Sequence, residues 1–74
     1  MRNNVKAGDS VMVKHECSIN SPISAHRTHE VVEVYSDNTL LLKGYHERLP
    51  AKMFEKMVIR KTKHGEHIRW YPLK

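Results

Sequence analysis

The chain has 74 residues, 39% of them hydrophobic and 28% charged, with a formal net charge of +5 at neutral pH. This is one domain, residues 1–74, near the lower size limit for a self-sufficient core, which excludes a deep enclosed active site and a disordered or low-complexity chain. The single Cys17 excludes an intramolecular disulfide, and no apolar run approaches the roughly 20 residues needed to span a bilayer.

The opening Met1-Arg2-Asn3-Asn4-Val5-Lys6 lacks the apolar stretch of a secretory signal, so the expectation is an intracellular, cytoplasmic protein with no membrane association. Ala7-Gly8-Asp9 is a turn, and Ser10–His15 follows as a strand with Val11 and Val13 on one face. Cys17 to Thr28, with Ser18, Asn20, Ser21, Pro22 and Ser24, has the composition of a long loop. His29 to Tyr35 is the clearest strand. Ser36-Asp37-Asn38 then turns the chain into Thr39–Lys43, predicting a hairpin. After the Gly44–Glu47 turn, Arg48-Leu49 is a short strand that Pro50 must end or hold at an edge. Ala51–Phe54 fits one turn of helix or 3₁₀ helix, and Lys56–Lys63 fits another strand. A two-residue turn at His64-Gly65 would pair it with Glu66–Tyr71, setting Lys63 opposite Glu66, Ile59 near Trp70 and Arg60 near Arg69.

The order of motifs is an Ala-Gly-Asp-x-Val-x-Val opening, a long loop, a Val-rich strand ending at Ser-Asp-Asn, an apolar strand ending in Gly, then Leu49-Pro50-Ala51 and Phe54. Over about residues 7–59 it resembles the small SH3-like barrels common among phage and mobile-element proteins. The same opening occurs in KOW-type and retroviral-integrase-type SH3-like domains. The resemblance implies that Ala51 and Phe54 are the small residue and the aromatic that the turn before the last strand places in the core. Leu49 stands where many relatives carry an aromatic, and Thr62–Lys74 runs past the usual end of the barrel. The fold expected is therefore all-β: a five-stranded SH3-like barrel (about 7–61) extended by a C-terminal β-hairpin (about 58–74), with Val11, Val13, Val31, Val34, Leu40, Leu42, Leu49, Ala51, Phe54 and Val58 in the core. This fold hosts DNA binding, RNA binding, peptide binding and protein inhibition alike.

Charge is what separates these functions. Residues 1–51 carry six basic and six acidic side chains, whereas residues 52–74 carry seven basic ones against Glu55 and Glu66 alone. The whole net charge therefore sits in the last third, beside Trp70 and Tyr71. Lys56, Arg60, Lys61, Lys63, Arg69 and Lys74 are candidates to neutralise phosphates, and Trp70 or Tyr71 to stack on bases of DNA or RNA. The bland reading of the same charge is a solvated strand edge kept from aggregating. Ile19, Pro22 and Ile23 lie in a loop too polar to be core; Ile19 and Ile23 either anchor a partner protein, making this a candidate partner surface, or fold back over one open end of the barrel.

His26-x-x-His29 and His64-x-x-His67 have spacings that metal sites use, but no second Cys completes a Cys-x-x-Cys pair, and no metal or other cofactor is expected. The histidines read instead as a pH lever that adds positive charge below neutral pH. Glu30 and Glu33 would point to opposite faces of a regular strand, and no phosphate loop or nucleophile elbow is present, so no enzyme activity is expected. The reading that emerges is a non-catalytic nucleic-acid-binding accessory protein, a monomer or weak homodimer. The alternative is a small phage-type protein that binds and modulates a host protein, for which an acidic partner surface would suit the basic ribbon.

Overall fold

The structure, a computed structural model, describes residues 5–74. It is all-β: β1 (Ser10–Val13), β2 (His29–Val34), β3 (Thr39–Leu42), β4 (Leu49–Pro50), β5 (Phe54–Thr62) and β6 (Gly65–Pro72), with single 3₁₀ turns at His15–Cys17 and Ala51–Met53. The six strands form one antiparallel sheet in the order β4-β3-β2-β1-β5-β6. Pro50 sits in the short edge strand β4, where its missing N–H interrupts no ladder. β5 starts two residues before the expected strand because Phe54 already pairs with Val13.

Alternation builds the core. Val11 and Val13 of β1, Val31 of β2, Leu40 and Leu42 of β3, Leu49, Ala51 and Phe54 are all buried. Three buried residues were not expected: Val5, His29 and Leu73. Leu73 follows the last strand and is locked from both sides, its N–H donating to the Phe54 carbonyl at 2.9 Å and its carbonyl accepting from Lys14 Nζ at 2.8 Å.

Two expected core residues are not buried. Val34 is 38% exposed and Val58 is half-buried. A β-bulge between Val31 and Glu33 shifts the register from Val31 opposite Leu42 to Glu33 opposite Leu41 and Val34 opposite Leu40. Val34 does reach the core side, but at the end of β2, where little covers it. The same bulge overturns the separation expected of Glu30 and Glu33. Glu30 pairs with Ser10 and Glu33 with Leu41, so both lie on the outer face.

Both long hairpins turn by the same device. Asn38, after Ser36-Asp37, has φ 65°, and Gly65, after Lys63-His64, has φ 117°. A turn closed by one left-handed residue matches the right-handed twist of the strands. Asn38 is the one non-glycine residue with positive φ among the described residues, so Lys63 and His64 keep ordinary negative φ. The β5–β6 register is consequently displaced from expectation: Lys61 lies opposite Glu66, Arg60 opposite His67, Ile59 opposite Ile68, Val58 opposite Arg69 and Met57 opposite Trp70.

Candidate nucleic-acid interface

The distal part of the β5–β6 hairpin stands clear of the core, with residues 59–72 exposed. Because strands alternate, it has two chemically different faces. One face continues the core side of the sheet. Beyond Phe54 it carries Lys56 opposite Tyr71, Val58 opposite Arg69, and Arg60 opposite His67. The other carries Glu55 opposite Pro72, Met57 opposite Trp70, Ile59 opposite Ile68, and Lys61 opposite Glu66. Lys63 lies in the turn at the tip.

The candidate phosphate ligands are therefore not one constellation. Arg60 and Arg69 share a face, with His67 across from the first and two residues before the second. Neither arginine, nor Lys61 or Lys63, enters an ion pair among the described residues, so all four charges are open to solvent and to an anion. Lys56 lies on the same face but is mostly buried, its Nζ 3.3 Å from an Asp9 carboxylate oxygen. Its charge is already neutralised at the root of the hairpin. Lys74 lies away from this surface, where its backbone carbonyl accepts from Asn38 Nδ2 in the β2–β3 turn. Trp70 and Tyr71 separate: Tyr71 belongs to the basic face and Trp70 to the apolar one. His67 was missed as a site residue, although alternation from Arg69 alone places it on the same face.

The long loop is fastened at both ends. Cys17 N–H donates to the Lys14 carbonyl at 2.9 Å, and His29 Nε2 donates to the Ser24 carbonyl at 2.8 Å. The buried His29 ring also meets Tyr45 edge-on, with centroids 5.6 Å apart and planes at 72°. Ile23 packs against the core, whereas Ile19 is 91% exposed, so the two isoleucines do not form one surface. Pro22 and Ile23 instead meet Tyr45, His46, Glu47 and Leu49 around a cleft of about 130 Å³. That volume takes a single side chain, well short of the several hundred Å³ of a typical small-molecule site.

Among the described residues no group of three His, Cys, Asp or Glu side chains is placed to hold a metal, and no helix is long and apolar enough to cross a membrane. Beside the β2–β3 turn, the Arg48 guanidinium lies 3.7 Å above the Tyr35 ring and 3.9 Å from Asp37. The Thr39 hydroxyl donates to the Asp37 carboxylate and, with Arg48, holds its pKa below the usual value. No protein-family model matches the chain, and no curated protein or solved structure matches it.

Proposed function

We propose that this protein is a non-catalytic nucleic-acid-binding module, an SH3-like barrel that grips phosphates with the basic face of its β5–β6 hairpin. The observation that carries the reading is the register: it gathers Arg60, His67 and Arg69 on one exposed face, with Tyr71 at its base and neither arginine ion-paired within the described chain. Lys63 extends the charge to the tip. Tyr71, and not Trp70, is the ring positioned to stack on a base beside these arginines. A two-stranded ribbon also has the dimensions that the major groove of duplex DNA admits.

The test is a fluorescence-anisotropy titration with single-stranded DNA, duplex DNA and RNA at two salt concentrations. Expected is micromolar or tighter binding that weakens with salt, by a slope of about 0.9 per phosphate neutralised on duplex DNA. Replacing Arg60, Lys63 and Arg69 by Gln should abolish it while leaving the circular dichroism unchanged. Equal binding by that variant and wild type would refute the reading.

The second reading, a phage-type small protein that modulates a host protein, is favoured by the cleft between Pro22, Ile23 and Tyr45, which can seat one apolar side chain of a partner. Free nucleic acid separates the two: it displaces a ligand held by the hairpin and leaves intact a protein complex held at the cleft.

A further inference from the structure

The face of the hairpin opposite the basic one is apolar and uncovered. Ile59 is 48% exposed, Ile68 55% and Trp70 36%, and Met57 completes the block across from Trp70. The three exposed side chains alone present on the order of 300 Å², a size at which apolar patches mark interaction sites.

The block is bounded by charge in a particular order. From root to tip its rows are Glu55–Pro72, Met57–Trp70, Ile59–Ile68 and Lys61–Glu66. Glu55 and Lys61 lie six residues apart on one strand, about 20 Å, too far to pair with each other. Neither enters an ion pair among the described residues.

The spacing is symmetric about the level of Val58, and this selects the occupant. A second copy laid face to face, with a two-fold axis running across the strands, sets Met57 over the partner's Ile59. Trp70 then falls over the partner's Ile68, and both Lys61–Glu55 pairs close at the ends. An apolar centre with complementary charges at its rim is the anatomy of a self-complementary, isologous interface. The geometry points to a homodimer in which two β5–β6 hairpins stack antiparallel through these apolar faces. Arg60, His67 and Arg69 remain outward on both sides of the sandwich, so the inference does not depend on what those residues bind. The patch is small beside a standard interface of about 800 Å² per partner, which makes the dimer weak and concentration-dependent.

Sedimentation equilibrium on nuclease-treated protein tests this. The mass should rise from 8.7 kDa towards twice that value between about 10 µM and 1 mM. Ile68→Ser should weaken association about tenfold or more, with the monomer's circular dichroism unchanged. Glu55→Lys and Lys61→Glu should each weaken it, and the double variant should restore it to within about threefold of wild type, because the end pairs re-form with opposite sign. A monomer mass held up to about 1 mM overturns the inference and leaves the apolar face to a different protein. So does a dimer indifferent to Ile68→Ser, and failure of the double charge swap to restore association overturns the antiparallel stacking.

Discussion

Trp70 and Tyr71 are neighbours on β6 and face opposite ways, Trp70 across from Met57 on the apolar face and Tyr71 across from Lys56 on the basic one. One step along the strand thus separates two surfaces with different chemistry. A basic, aromatic-rich segment of sequence becomes a two-sided blade.

Variants that differ only in face should therefore behave differently towards nucleic acid. Replacing Arg60 and Arg69 together by Gln should lower affinity and reduce the salt slope by about 2 on duplex DNA, since each arginine accounts for about one phosphate. Tyr71→Ala should weaken binding to single strands by about 1–3 kcal/mol, the value of one stacked base. Trp70→Ala should leave affinity for nucleic acid nearly unchanged. The comparison is made by anisotropy at matched salt, and an equal loss from Trp70→Ala would mean that the faces do not act separately.

Leu73 should behave as a core residue despite lying second from the end of the chain. It is buried and bonded through its backbone to Phe54 and Lys14, joining the end of the chain to β5 and β1. Leu73→Ala should cost about 2–4 kcal/mol in urea unfolding.

His29 fastens the long loop through a partly buried hydrogen bond to the Ser24 carbonyl. His29→Phe keeps an aromatic beside Tyr45 but leaves the Ser24 carbonyl without its donor, which should cost about 1–3 kcal/mol. Amide hydrogen exchange should then rise over residues 18–28 more than in β5. A uniform rise would place the role of His29 in the core and not in the loop.

Asp37 should titrate low. The Thr39 hydroxyl is the largest cause and Arg48 a smaller one, partial desolvation acting against both. The pKa is depressed in the folded state, so its stabilising contribution is present above the unfolded carboxylate value and is lost as pH falls through the folded one. Following the Asp37 carboxyl by NMR, Thr39→Val should raise its midpoint towards the ordinary value, and Arg48→Gln should raise it less.

The parts of this structure that are local in the chain were legible in advance. Val11, Val13, Val31, Leu40 and Leu42 are buried because one face of each strand repeats every second residue, a pattern visible without coordinates. Ser36-Asp37-Asn38 turns where its composition says it should, and Pro50 marks an edge. Alternation along β6 likewise separates Trp70 from Tyr71 and joins His67 to Arg69, whatever the register.

Three features were settled only by tertiary structure. The bulge at Val31–Glu33 moves Glu33 to the outer face, and an extra residue in one strand is defined only against its partner strand. The burial of Leu73 depends on Phe54 and Lys14, 19 and 59 residues away, contacts that no local pattern encodes. Which side of the hairpin is continuous with the core is decided by Val13 meeting Phe54 and Phe54 meeting Leu73. Burying those side chains sets the orientation of the whole hairpin, and so fixes which way the arginines and the isoleucines look.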